Sequence, residues 1–173
     1  MYSPATRPCL TTFIMLMGKK TSKPMIIHGN VNSSNILLSD CFVAKVFGFG
    51  SSRLVRVPSN ESQMNTLVQQ TLTDKSDVYS FGDVLLEILT GEMPLSFNRP
   101  ENRRIITSHF VSSVEQNDIF QMVVPLVNEG NREQLRAVAE PAKSCLKLSS
   151  AERPAMEEVA GELRRLCSST HSS

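Results

Sequence analysis

The sharpest alternation of apolar and polar positions in the chain lies in residues 71–94, TLTDKSDVYSFGDVLLEILTGEMP. Thr73 offers an N-cap, and Asp74 and Asp77 fall in the first turn, where carboxylates favour the positive end of the helix dipole. Gly91 supplies a left-handed stop, with Pro94 just beyond it. Between these signals Val78, Tyr79, Phe81, Val84, Leu85, Leu86, Ile88 and Leu89 cover most of the circumference. Ser76, Ser80, Asp83 and Glu87 are left as a narrow polar stripe. A helix that is apolar nearly all round belongs inside a domain, so this segment is predicted to be a buried pillar.

The rest of the chain is arranged around that helix. Residues 1–23 are weakly patterned, with a helix expected near 10–19, and 25–28 reads as a short strand. Two β-leaning runs, 36–38 and 42–46, joined by Ser39, Asp40 and Cys41, predict a small hairpin. Residues 51–72 are polar and irregular and are expected to form a mobile loop. Beyond the pillar, Ile105, Ile106, Phe110, Val111 and Val114 mark an amphipathic helix, and another apolar segment begins at Ile119. From Glu133 a helical spacing carries Leu135, Val138, Ala139, Ala142, Cys145 and Leu146, interrupted by Pro141, which in a helix interior costs about 3 kcal/mol unless a kink absorbs it. The last helix follows Arg153 and Pro154 and presents Met156, Val159, Ala160, Leu163 and Leu166 on one face. Residues 167–173 are expected to be a disordered polar tail.

Composition narrows the function classes. At 173 residues the chain is predicted to be one domain, long enough to bury roughly 70% of its unfolded surface. A net charge of +1 argues against a nucleic-acid partner recruited by bulk electrostatics. Cys9, Cys41, Cys145 and Cys167 show no metal-ligand spacing and read as reduced thiols; no metal site is expected. The apolar run 9–17 is too short to span a bilayer, so no transmembrane segment is predicted.

Two short segments look able to handle a ligand: residues 28–35, HGNVNSSN, leading into the hairpin, and 46–50, VFGFG, leaving it. Both are rich in amides and glycine. Between Met25 and Gly50 the sole carboxylate is Asp40, at the hairpin tip.

The runs HGNVNSSNILL, AKVFGFG, TDKSDVYSFGDVLLEILTGEMP and ERPAMEEVAGEL together resemble the C-terminal lobe of plant receptor-like serine/threonine protein kinases, and most of all the wall-associated kinase group. The resemblance covers about residues 24–166. It implies a mainly α fold: a protein-kinase-like C-lobe with one small β-hairpin, with too little chain before His28 for an amino-terminal lobe. It also implies departures from the family's site. In the family pattern H-R-D-x-K-x-x-N, the Asp accepts the substrate proton and the Asn holds magnesium. Here Gly29, Asn30 and Asn32 stand at the Arg, Asp and Lys positions, while His28 and Asn35 match. Gly48 stands where D-F-G has its metal-binding Asp, and the A-P-E run is missing. A carboxamide does not take a proton near neutral pH.

The resemblance implies a loop-anchoring role for Asp77 and a structural role for Arg153. With the A-P-E Glu missing, Arg153 is expected to turn to solvent or to pair with Glu152, Glu157 or Glu61, since an unpaired buried charge costs about 3–5 kcal/mol. His28 is expected to pack at the base of the loop, and Asn35 to cap its own backbone, with a residual metal or nucleotide (cofactor) contact as the alternative. The expectation for function is a truncated, catalytically inactive kinase-like domain, a pseudokinase or binding module and so no enzyme. Neither ATP nor Mg2+, the family's cofactors, is expected to be needed. The partner would be a protein, such as a related kinase, and the location the cytoplasm, the family's kinase domains lying inside plasma-membrane receptors. The alternatives are an active ATP-dependent kinase seen as an incomplete sequence, and a non-functional gene remnant.

Overall fold

The structure is a computed structural model describing residues 25–40, 44–55, 74–123 and 132–169. Its centre is α1, Asp74–Thr90, running between the predicted signals and ending at Gly91 in the left-handed region (φ 71°). The Gly91 N–H closes the last turn on the Glu87 carbonyl at 2.8 Å. Thr73, the expected cap, lies outside the described residues.

Among the described residues three further α-helices surround α1: α2 (Thr107–Glu115), α3 (Arg132–Cys145) and α4 (Met156–Ser169). Helix α3 lies along α1 most extensively, and α2 and α4 also pack against it. Val78, Phe81, Leu85 and Leu86 of α1 are fully or almost fully buried, with Phe110, Ala139, Ala142, Cys145 and Val159 in the same core. The pillar is not covered all round, since Ile88 stays 53% exposed on the edge it shares with Glu87.

Four three-residue strands sit at the end of the domain near the start of α1. β2 (Ile36–Leu38) and β3 (Ala44–Val46) form the predicted antiparallel hairpin. A second antiparallel pair, which the sequence reading missed, joins β1 (Met25–Ile27) to β4 (Arg53–Val55). The strand Arg53–Val55 falls in a segment read as loop, because three residues amid polar neighbours carry no visible alternation. The pairing draws both ligand-handling segments together, since each lies between a β1 or β4 strand and the hairpin.

Two other expectations are corrected. Pro141 does not interrupt its helix: α3 continues through it to Cys145, with Pro141 itself buried. Leu135, Ala139, Ala142 and Cys145 are buried along the same helix, and their packing outweighs the lost backbone bond. Helix α4 runs on to Ser169, into the stretch read as tail. The helix expected near 10–19 lies outside the described residues.

Helices α1 and α3 approach closely at Gly82. A Cβ there would meet the Cβ of Cys145 at 2.8 Å and Cγ of Leu146 at 2.9 Å. Burial of Cys145 in this contact pushes its thiol pKa up to about 12, so it is not a reactive nucleophile. Between α1 and α2, Asp83 receives a long hydrogen bond from the Thr107 hydroxyl (3.4 Å), on the first residue of α2. Burial, with Glu87 adding repulsion, raises the Asp83 pKa to about 6.

Gly82→Ala gains about 1 kcal/mol in helix propensity but overpacks a contact between Cβ atoms, which costs about 1–3 kcal/mol. A net loss of about 1–2 kcal/mol in urea unfolding is expected; a stabilised variant would show that the two helices can part freely. For Asp83 the folded-state pKa lies above the unfolded one, so the neutral acid favours folding. Its contribution is present below about pH 4 and is lost as pH rises through about 6. Partial solvent screening limits this to about 1 kcal/mol. Asp83→Asn should therefore unfold at a higher temperature than wild type at pH 7.5, and the gap should close toward pH 4.

Candidate functional site

The site is built where the two loops meet. After β1 the chain turns at Gly29 (φ 74°), passes Val31, which is buried in the core, and makes a 3-10 turn over Ser33–Asn35 into β2. Asn32 caps that turn, its Oδ1 accepting from the Asn35 N–H at 3.1 Å. After β3 the chain passes Phe47 and Gly48 and makes a second 3-10 turn over Phe49–Ser51. The Phe47 N–H donates to the Asn35 carbonyl at 2.9 Å and ties the second loop to the first.

Asp77 anchors the first loop from below. Its two carboxylate oxygens accept from the main-chain N–H of His28 (2.6 Å) and of Gly29 (2.8 Å). Burial raises the pKa of this carboxyl, and the two N–H bonds oppose the rise without cancelling it. His28 is fully buried, as expected of a packing residue. Its Nδ1 accepts from the Asn30 N–H at 3.2 Å. A main-chain N–H can only donate, so the imidazole proton sits on Nε2, which donates to the Phe47 carbonyl at 2.8 Å. The ring of Phe49 meets the imidazole edge-on at 4.6 Å. One histidine thus joins α1, the first loop and the second.

Above this base the three asparagines share hydrogen bonds. Asn32 Nδ2 donates to Asn30 Oδ1 (3.0 Å) and to the Asn30 carbonyl (3.1 Å), and Asn35 Nδ2 donates to the same carbonyl at 2.9 Å. Asn35 therefore does brace its own loop. It also fills the space beside Gly48: a Cβ there would come within 2.6 Å of Asn35 Nδ2, and φ of +83° disfavours any side chain. Asn30, Asn32, Asn35 and Gly48 are brought together, and none carries charge. A magnesium ion requires hard, mostly anionic oxygens. These residues do not fit it, and among the described residues no cluster of three acidic, histidine or cysteine side chains could hold a metal.

Arg153 behaves differently from expectation. It neither turns to solvent nor pairs with Glu152 or Glu157; Glu61 lies outside the described residues. Its guanidinium donates to the carbonyls of Lys147 (2.8 Å), Lys75 (3.0 Å) and Leu148 (3.1 Å) and lies 4.7 Å over the ring of Tyr79. Lys75 Nζ returns a bond to the Arg153 carbonyl at 2.6 Å. Carbonyl oxygens and a ring face replace the carboxylate and pin the start of α1 to the segment before α4. Sequence reasoning missed Phe47, Phe49, Lys75 and Tyr79 in these roles. A backbone carbonyl acceptor leaves no mark in the sequence; the aromatic residues flanking Gly48 were a usable signal.

Comparison with known proteins places these observations. A family model described as protein tyrosine and serine/threonine kinase matches residues 21–163. Wall-associated receptor kinase 5 of Arabidopsis thaliana is 40% identical over 155 residues, which cover 82% of this chain and 21% of that protein. Wall-associated receptor kinase 4 of the same plant is 39% identical, again over 82% and 21%. The putative wall-associated receptor kinase-like 16 is 38% identical over 84% of this chain and 36% of its own length. The chain thus spans about a fifth to a third of these relatives. The match corrects the expectation that the chain is no enzyme: the matched family is one of kinases, and the relatives are named as receptor kinases. Among the described residues no helix is long and apolar enough to cross a membrane.

Asp77→Asn leaves one of the two loop N–H groups facing an amide NH2 instead of an acceptor. A loss of about 1–3 kcal/mol is expected, with faster amide hydrogen exchange at His28 and Gly29. Unchanged exchange at both amides would show that other contacts hold the loop.

Proposed function

The chain belongs to the protein tyrosine and serine/threonine kinase family, and we propose that it serves phosphorylation of protein serine or threonine hydroxyls as the acceptor-binding lobe of a wall-associated-kinase-type domain. The observation that carries this reading is the loop held by Asp77 and His28, with its carboxamides turned to the surface. On this reading the lobe works on the cytoplasmic side of the membrane, where ATP is supplied.

Phosphoryl transfer passes through a loose transition state in which positioning outweighs covalent participation by the protein. Asn30 has a spare carbonyl lone pair that can accept a hydrogen bond from an acceptor hydroxyl, so it orients that hydroxyl without removing its proton. Asn32 and Asn35 fix Asn30 by holding its amide oxygen and its carbonyl. The nucleotide contributes the transferable phosphoryl group. This chain contributes the place and direction of the acceptor, at a rate limited by the missing base.

The test is transfer of labelled phosphate from ATP to a generic protein substrate, measured with and without added Mg2+. Slow transfer is expected from the wild-type chain, with Asn30→Asp raising it by about 10²–10⁴-fold, the usual contribution of a positioned base. Wild-type transfer no greater than that of Asp77→Ala, in protein shown to be folded, would overturn the proposal.

A further inference from the structure

Helix α2 meets α1 at a half-buried carboxyl that has no cation beside it. Asp83 stands between the buried residues Gly82 and Val84 of α1. Among the described residues it forms no ion pair, and its hydrogen bond is the long one from the Thr107 hydroxyl at 3.4 Å. Thr107 is buried and is the first residue of α2, and Ile106 before it gives that helix no side-chain cap. The start of α2 is therefore seated on α1 by the apolar packing of Ile106 and Phe110 and by this polar pair.

The surroundings of Asp83 disfavour its charged form. Burial raises its pKa to about 6; the Thr107 hydroxyl offsets the rise only in part, and Glu87, one turn on along α1, adds repulsion. Tyr79, one turn back, is a phenol whose own pKa is raised by burial, so it stays neutral beside Asp83. The Arg153 guanidinium lies over the Tyr79 ring. On α2 the titratable side chains are His109 and Glu115, and among the described residues no side chain of α3 or α4 bonds Asp83.

The first turn of α2 is also tied to the chain before it. Ile106 N–H donates to the Pro94 carbonyl at 3.0 Å, Ser96 N–H donates to the Arg104 carbonyl at 2.9 Å, and Leu95 and Ile105 form an antiparallel bridge. A shift at Thr107 is thereby passed to residues 94–106. We propose that Asp83 and Thr107 form a pH-sensitive latch between α1 and α2. With the carboxyl neutral, the first turn of α2 sits closed on α1; with it charged, that turn opens locally and carries residues 94–106 with it. The closed form holds the proton more tightly than the open form, in which water reaches the carboxyl. Opening is thus suppressed at low pH and favoured as pH rises through about 6. Val114, buried further along α2, keeps the rest of the helix in the core, so the opening stays short of unfolding. The latch is separate from the loop that carries Asn30 and does not depend on phosphoryl transfer.

Amide hydrogen exchange of the full chain between pH 5 and 7.5, corrected for the intrinsic effect of pH on amide exchange, tests it. The amides of Ser96, Ile106 and Phe110 should exchange faster than those of Ala139 and Ala142 in α3, and their exchange should respond little to low urea, as local opening does. Their opening should increase about fivefold across this range, the half-buried position limiting the effect. Asp83→Asn, checked for cooperative melting, should abolish the increase, and His109→Gln should leave it in place. An increase that persists in Asp83→Asn would overturn the proposal. So would a urea response at Ser96, Ile106 and Phe110 equal to that at Ala139 and Ala142, because the pH effect would then act only through unfolding of the whole domain.

Discussion

The geometry of the first loop depends on one carboxylate. Asp77 stands in the first turn of the most buried helix and takes two N–H groups, from His28 and Gly29, that would otherwise be stranded at the base of the loop. A buried N–H without an acceptor costs about 1–3 kcal/mol, so two such groups are comparable to a large share of a small domain's net stability. Burial makes the charge on Asp77 expensive, and the pair of N–H bonds is what makes it tolerable. The helix therefore does more than fill the core. It sets the height and direction at which residues 28–35 leave β1, and His28 carries that placement across to Phe47 and the second loop.

The pillar was legible because its signals are local: first-turn acids, a helical apolar pattern, and a glycine that stops it. The hairpin was legible for the same reason, two short β-leaning runs around a polar turn. What escaped the sequence depends on partners distant along the chain. The pairing of Met25–Ile27 with Arg53–Val55 rests on main-chain bonds between strands too short to show alternation. The fate of Arg153 turned on three carbonyls, which every residue possesses and which no pattern singles out. Pro141 looked like a break because propensity is local, whereas its place in the helix is decided by burial among Ala139, Ala142 and Cys145. The close approach at Gly82 was equally invisible, since a glycine inside a helix announces a cost without naming the neighbour that requires it.

The site itself was legible in its parts and not in its connections. His28, Asn30, Asn32, Asn35, Gly48 and Asp77 were all singled out, and all but Asp77 carry no formal charge as placed. The sequence could not show that Asn35 occupies the room beside Gly48, and this alters how the glycine is understood. A carboxylate at position 48 would have to displace the Asn35 amide and adopt a backbone conformation that side chains avoid, so the two positions form one packing unit. Asn30, Asn32 and Asn35 thus form one hydrogen-bonded set, and Gly48 is tied to it by the space that Asn35 fills.

That coupling separates two groups of residues whose demands differ. Asp77, His28 and the Phe47 carbonyl hold the loops through buried bonds, and replacing any of the side chains strands donors or acceptors. Asn30 and Asn32 face outward and make exposed bonds to each other, each worth little net free energy in water. Stability therefore constrains the first group strongly and the second weakly. A loop built this way keeps its shape through its buried bonds while its exposed residues are left free to vary.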